Sequence, residues 1–397
     1  MYPSLTAMSG AEQLLVCLAE GLTARGHEVR IVTRNLDRSL FNPAGCEVVE
    51  LGESDSLLDW AAFQRAGRAL EAHVHQFDII NPHIYPANYW CYFSGADRSR
   101  IVWTCHEPLR YLYRSVLDDE YRRLMRRRMS GAGDVGSRLS GAWPLARPIY
   151  RRLRFGGLDR RTKRLDHEVA RSARSVIAIS DFGATQIRAA LGVESVVCHA
   201  GSPDAQQPAR RPRSDRIRFL SVARLWPEKN LDTVLLGFAR LDPRVKTQVN
   251  LTVVGRGPDE RYLRRLTSAL GLSEQVDFLA EVDDDRLRNL YQESDALISV
   301  PLGEPFGLVF TEAASRGLPS IGPNHGGPAE IIQDGVSGLL VDALDPDALA
   351  AAVTRLTTEP ELLATMGANA RRRFEERFTV DHMVDRYLSV FERVRAA

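Results

Sequence analysis

Short apolar runs alternate with stretches of helical period over most of the chain. Runs at residues 29–33, 48–51, 77–80, 101–105, 176–179 and 196–198 predict one set of strands. A second set is predicted at residues 217–222, 251–254, 276–279, 296–300, 320–322 and 339–341. Between the strands lie segments such as 11–25 and 231–241. In the first of these, Leu14, Leu15, Leu18 and Leu22 recur at helical spacing. Strand–helix alternation of this kind predicts parallel sheets with helices on both faces. Residues 201–215 (GSPDAQQPARRPRSD) have no period and are rich in Pro, Arg and small polar residues, so they read as a linker. The expected fold is therefore α/β, with two doubly wound domains. The first covers residues 1–205 and the second 215–377, with a last helix in residues 381–397. Such domains bind ligands outside the carboxyl ends of their strands, and a cleft between two of them is a natural site. No strand-like run precedes the helix that begins near Ala11. The first domain is thus expected either to lack its first strand or to start upstream of Met1.

Composition narrows the picture only a little. The chain has 397 residues, too many for one ordinary core, and it is 44% hydrophobic and 26% charged, which is globular. A net charge of +1 gives no overall argument for nucleic acid, and none is expected as a partner. No apolar run reaches the roughly 18 residues that cross a bilayer. The first residues lack the basic and apolar regions of a secretory leader. Cys17, Cys46, Cys91, Cys105 and Cys198 are scattered and form no C-x-x-C pair. That pattern speaks against a disulfide framework or structural zinc, and a reducing cytoplasm is the expected location.

The segment Glu304-Pro-Phe-Gly-Leu-Val-Phe-Thr-Glu312 is the most informative chemistry. It follows a predicted strand and opens a helix near Gly307. A helix start presents free N–H groups and a positive dipole end, and glycine allows close backbone approach. A polar ligand can sit on the N–H groups of Gly307 and Leu308, with Glu304 and Glu312 reaching different parts of it. Two glutamates alone would read as a helix-start anion and a solvent-facing side chain. Arg224 ends a predicted strand and Lys229 begins the next helix, which places both at the edge where ligands bind. His106 follows the strand 101–105, and Gly10 opens the first helix. Alone, these read as loop cations, a structural histidine and a cap. Asp283-Asp284-Asp285 mimics a metal-binding D-x-D, but it precedes the predicted helix 286–293, so N-capping explains it better. Gly255-Arg-Gly-Pro-Asp-Glu ends in Glu260 where a dinucleotide fingerprint needs Gly or Ala, so it reads as a strand-end turn.

Taken together, E-x7-E in the setting EPFG…EA, followed by RGLPSI and HGGPAEII, resembles glycosyltransferase family 4, the large retaining family on the GT-B fold. The resemblance covers most of the chain. It implies two Rossmann-like domains facing across a cleft, and a last helix that crosses back to the first domain. Arg224 and Lys229 in SVARLWPEKN match the family's basic pair on the donor diphosphate. Ser9-Gly10-Ala11-Glu12 is similar to its GGAE loop with Ser9 for the first glycine, and Cys105-His106-Glu107 is similar to its HD motif with Glu107 for Asp. Residues 335–340 (GVSGLL) resemble its dGxxGlL run. The implied reaction moves a sugar from a UDP- or GDP-sugar to a hydroxyl acceptor with retention, the acceptor being a lipid-linked or cell-surface glycan precursor. His106, Glu304, Arg224 and Lys229 are the implied catalytic set. The implied donor contacts are Gly10, Arg224, Lys229, Gly255, Leu279, Glu304, Phe306, Gly307, Leu308 and Glu312, with Glu312 on the ribose. Two fixed cations would stabilise the charge of the leaving diphosphate and take the place of a metal, so no metal and no cofactor is expected.

Two other readings stay open on the same fold. One is a nucleotide-sugar epimerase or hydrolase, and the other a non-catalytic binder of sugar nucleotides. Residues 121–164 add a further feature. They carry fourteen Arg and Lys against Asp134 and Asp159, with Leu124, Met125, Met129, Trp143, Ile149, Tyr150, Leu153 and Phe155 interleaved. A basic amphipathic segment can lie on an anionic membrane surface or hold an anionic acceptor, and it can equally be a solvated hairpin. The first reading places the protein peripherally on the inner face of the cell membrane.

Overall fold

The computed structural model describes residues 1–6, 8–52, 60–109, 113, 116–130, 158–205 and 216–397. They form two units. One comprises Met1–Arg114, Phe155–Pro203 and Phe378–Ala397; the other comprises Ser115–Arg154 and Asp204–Arg377. Most of the expected linker, residues 206–215, and most of the basic segment, residues 131–157, lie outside the described residues.

The first unit holds β1 (Ser4–Leu5), β2 (Arg30–Thr33), β3 (Asn35–Leu36), β4 (Glu47–Glu50), β5 (Val102–Cys105), β6 (Ser175–Ala178) and β7 (Val196–Val197), all paired in parallel. Its first strand is present, contrary to the expectation from sequence. The N–H of Tyr2 donates to Val32 O at 3.0 Å and that of His83 to Met1 O at 2.8 Å. Residues 1–5 therefore run between β2 and the segment 80–83, which bridges to β5 at Ile80–Ile101 and His83–Thr104. Pro3, which has no N–H to give, breaks the pattern and hides the strand in the sequence. Tyr2 and Leu5 are nevertheless fully buried. The predicted strand at residues 77–80 is displaced: its pairing starts at Ile80 and passes through Pro82 as isolated bridges. The last helix, Val380–Ala396, lies along the first, Gly10–Ala24. Gly21 leaves no room there, since a Cβ would stand 2.5 Å from Val384 Cγ2. Arg25 at the end of the first helix pairs with Asp381 at 2.8 Å and Asp385 at 3.1 Å.

The second unit is one six-stranded parallel sheet built from β8 (Ile217–Val222), β9 (Val249–Val254), β10 (Val276–Leu279), β11 (Ala296–Ile298), β12 (Ser320–Pro323) and β13 (Gly338–Val341). Their order is β10-β9-β8-β11-β12-β13. Helices on both faces bury the strands, which explains their near-continuous apolar runs. Phe219, Leu251 and Ile298 in the sheet and Phe238 and Val353 in the helices are all fully buried. Each such side chain contributes about 1.5–3 kcal/mol of burial. Strand order reverses between β8 and β11, and the crevice beyond their carboxyl ends is where a doubly wound sheet binds ligands.

The helix Val116–Ser130 belongs to this second unit, whereas the sequence places it in the first domain. Leu124 is fully buried in the second unit's core and Met125 packs against it. These two apolar residues are therefore not available to a membrane, and Arg123 and Arg126 form the exposed side of the helix.

Candidate active site

The crevice is built from two segments. After β8 the chain runs through Ala223, Arg224, Leu225 and Trp226 into a short turn at Pro227–Lys229, then into the helix Leu231–Ala239. After β11 it runs through Glu304 to the helix Leu308–Ala314. The Lys229 ammonium donates to Glu304 Oε2 at 2.6 Å, with both side chains partly exposed. Two residues 75 positions apart in sequence thus meet at the switch point of the sheet. Arg224 is exposed and, among the described residues, held by no carboxylate. The turn is set by Asn230, a fully buried residue at φ 54°. Its Nδ2 donates to Val300 O at 3.0 Å and to Ala343 O at 2.5 Å. Those bonds repay a left-handed backbone that asparagine tolerates better than most residues.

Gly307 has φ 92°, and a Cβ there would stand 2.7 Å from the Phe310 ring. Only glycine fits, and the backbone turns abruptly into the helix Leu308–Ala314. Phe306 is buried, while Glu304 and Leu308 stay partly open. The turn at Gly326-Gly327 presses on the same loop. The Gly327 N–H donates to Glu304 O at 2.9 Å, and a Cβ on Gly327 would overlap Phe306 Cα at 2.3 Å. The EPFG and HGG sequences are therefore one packed unit. Glu312, inside the helix, accepts from the buried Tyr291 hydroxyl at 2.8 Å. Burial first, then the Glu312 charge, raises the Tyr291 phenol well above its ordinary value, so it stays a donor that orients the carboxylate.

Gly255 and Leu279 lie on the other side of β8. The Gly255 N–H donates to Leu279 O at 3.1 Å, and a Cβ at Gly255 would meet Ala223 O at 2.0 Å. A Cβ at Gly257 would likewise meet Leu225 O, at 2.3 Å. The Gly-Arg-Gly turn is thus laid flat against the strand end that carries Arg224. Asp283 caps the helix Asp284–Glu293, accepting from the Arg286 N–H at 2.7 Å. His325 Nε2 stands 2.9 Å from Glu120 Oε1, within the same unit.

His106 and Gly10 are in the first unit. His106 is buried behind β5, and its Nε2 lies 3.3 Å from His83 Nδ1; His83 Nε2 in turn lies 2.7 Å from Asn81 Oδ1. Asn81 Nδ2 donates to Val102 O and to Thr104 Oγ1, which fixes the amide with its oxygen toward His83. Burial, then the neighbouring His106, holds His83 well below its usual range, and burial brings His106 down to about 4. Both rings are neutral at pH 7. His83 then carries its proton on Nε2, accepts at Nδ1 from His106 Nε2–H, and leaves His106 Nδ1 as an acceptor with no donor among the described residues. At Gly10 the backbone is ordinary. Ser9 caps the helix, and the Glu12 carboxylate takes the Ser9 N–H at 3.0 Å, the Ser9 hydroxyl, and the Tyr2 hydroxyl at 2.7 Å. This helix start already carries its own anion.

The structure thus gathers Arg224, Lys229, Glu304, Phe306, Gly307 and Leu308 at one crevice. Gly255 and Leu279 stand beside it, and Glu312 lies one turn deeper. Tyr291 and Asn230 support groups of this crevice, while in the first unit Asn81 and His83 order His106; of these four only Asn230 lies in a motif singled out from the sequence, SVARLWPEKN.

Residues 8–203 match the sequence family described as Glycosyltransferase Family 4, and residues 204–373 match the family described as Glycosyl transferases group 1. The chain belongs to glycosyltransferase family 4. It is 31% identical over 261 residues to a D-inositol 3-phosphate glycosyltransferase of Geodermatophilus obscurus, covering 62% of this chain and 57% of that protein. The chain spans about half the length of the inositol-phosphate relatives it matches. An O-antigen chain mannosyltransferase C of Escherichia coli is 26% identical over 399 residues, covering 98% of this chain and 95% of the relative. Among solved structures, Anabaena HepE in complex with UDP and glucose superposes with a TM-score of 0.72 at 18% identity, covering 99% of each chain. The family 4 chain therefore has the GT-B class of fold, α/β with parallel sheets in two domains.

Proposed function

We propose that this family 4 chain is a retaining hexosyltransferase that uses a UDP- or GDP-linked sugar and a hydroxyl acceptor. The observation that carries the reading is the Lys229–Glu304 contact at the switch point of the second sheet, with Arg224 exposed beside it. Breaking a sugar–phosphate bond leaves new negative charge on the nucleoside diphosphate. Lys229 and Arg224 are the cations that receive it, without need of a metal or cofactor. Glu304, bonded to Lys229, stands where it can accept from the sugar's hydroxyls, and the N–H groups after Gly307 offer further donors. Glu312, oriented by Tyr291, takes the ribose hydroxyls. His106 accepts at Nδ1 from a hydroxyl of the transferred sugar. The donor's own phosphate oxygen takes the acceptor's proton, so retention needs no side-chain nucleophile. The UDP and glucose named in the Anabaena structure support a nucleotide-sugar donor. The O-antigen relative supports an acceptor that is a lipid-linked or cell-surface glycan precursor.

Lys229→Ala and Glu304→Gln are expected to reduce nucleotide release from the preferred sugar donor by roughly 100-fold or more, with melting near that of the native chain. Near-native turnover in either variant refutes the assignment. Anomeric proton couplings of the product read retention directly, and a donor isomerised without acceptor would establish the epimerase reading instead.

We also infer a peripheral position on the cytoplasmic face of an anionic membrane, supported by the charge of residues 121–164 and the exposed Arg123 and Arg126. Among the described residues no helix is long and apolar enough to cross a membrane. Co-sedimentation with anionic but not neutral vesicles is the expected result; failure to pellet with either removes the inference.

A further inference from the structure

The helix Val116–Ser130 comes from a segment that reads in sequence as a cationic insert, yet it packs against the Pro227–Lys229 turn. Two of its arginines are spent inside the second unit. Arg128 donates through Nε to Asp232 Oδ2 at 2.7 Å and through Nη2 to Asp232 Oδ1 at 2.5 Å; Nη2 also reaches Asp259 Oδ2 at 2.7 Å. Its guanidinium lies over the Tyr262 ring at 4.5 Å, and the Tyr262 hydroxyl donates to Asp232 Oδ2 at 2.9 Å. Arg127 donates to Thr233 Oγ1 at 2.6 Å and to Leu344 O at 3.0 Å. Thr233 in turn donates to Asn230 Oδ1, the residue that sets the turn after Lys229.

The two carboxylates held by Arg128 belong to the segments that follow β8 and β9 at the crevice. Asp232 is in the first turn of the helix that follows Lys229. Asp259 ends the Gly255-Arg-Gly turn, and its N–H donates to Leu225 O at 3.0 Å, beside Arg224. Asp232 is nearly fully buried and Asp259 largely so. Without a shared cation, two buried acids would repel and drive the loops apart. Burial works against the Arg128 charge, but the hydrogen bonds and charges of Asp232 and Asp259 more than offset it and hold the guanidinium protonated.

We propose that Arg128 is a positioning residue for the nucleoside-diphosphate half of the donor, clamping the Lys229 turn and the Gly255–Asp259 turn at a fixed separation. The proposal rests on the donor reading of this crevice. It assigns a role in the second unit to a residue whose sequence context suggests a membrane-facing charge.

The test is calorimetric titration of the full chain with UDP and with GDP, together with donor and acceptor KM, for wild type, Arg128→Gln, Arg128→Lys and Asp259→Asn. All are measured well below each variant's melting temperature. Arg128→Gln is expected to weaken binding of the preferred nucleotide and raise donor KM by at least about tenfold, with acceptor KM within about twofold. Arg128→Lys, which keeps the charge but not the fork, should recover part of the loss, and Asp259→Asn should fall between. Should Arg128→Gln not fold, the lysine and Asp259 variants carry the same comparison. Unchanged nucleotide affinity and donor KM in variants that merely melt earlier overturn the proposal. A wild-type chain that binds neither nucleotide overturns the donor reading itself, and the clamp's role with it.

Discussion

Two helix starts in this family 4 chain carry motif glycines, and they are built on opposite principles. At Gly307 the backbone stands at φ 92° and a side chain would strike Phe310, so geometry alone demands glycine. The loop before it is gripped by Gly327 and by Lys229, and the helix carries no acid in its first turn. Its N-terminal dipole therefore meets no acid from its own first turn. At Gly10 the backbone is ordinary, and the start is closed by Ser9 and Glu12, with Tyr2 tying Glu12 to the strand segment below. A second anion there would have to share the space with Glu12. The same residue type therefore marks a start with no acid in its first turn in one unit and a self-capped start in the other.

Replacing the two glycines gives the largest test of that contrast. Gly307→Ala places a Cβ in strained backbone and against an aromatic ring, which costs about 1–3 kcal/mol. By moving the helix start it should lower turnover roughly 100-fold. Gly10→Ala meets no positive φ and, at the first helical position, should leave melting within about 1 kcal/mol of wild type. Circular-dichroism melts and nucleotide-release rates on both variants check this. Equal losses in the two would erase the distinction. A Gly10→Ala chain that melts normally but turns over slowly would show that this glycine serves a ligand's close approach after all.

How much of this could be read in advance differs between the units for a physical reason. Inner strands of the second sheet such as Ala296–Ile298 and Ser320–Pro323 are buried throughout, so the runs predicted at residues 296–300 and 320–322 begin where the structure shows strands. The first strand of the chain escaped because Pro3 interrupts it and its pairing is to distant segments. The residues on the crevice were legible as a set through their spacing and resemblance. What orients them was not: Tyr291 sits in an ordinary helix, and Arg128 is one of fourteen cations in its segment. Ser9-x-x-Glu12 carried a legible capping-box signature beside its resemblance to a ligand loop, and the structure shows the cap. Local pattern reports burial and capping; it does not report which buried acid a given arginine will find.

The first unit differs from the second in a further way that pH exposes, through a smaller effect. Its buried histidine pair stays neutral in the folded chain at pH 7. Burial lowers His106 from the ordinary 6.5 to about 4, and His83 moves in the same direction. In the unfolded chain both rings take up a proton near pH 6.5. Between pH 6.5 and about 4 the unfolded state therefore binds more protons, and stability falls as pH falls through that window. The His106 shift corresponds to at most about 3 kcal/mol, fully present above pH 6.5 and lost by pH 4. Thermal melts across this range should show the decline, and His83→Gln should flatten it, since one of the two buried rings no longer has to stay neutral. Imidazole proton shifts of His106, assigned by difference with His106→Gln, should stay flat from pH 8 to 5. A His106 resonance that titrates near 6.5 would mean the ring is charged when folded. The chain of donors from His106 through His83 to Asn81, and with it the acceptor role of Nδ1, would then be wrong.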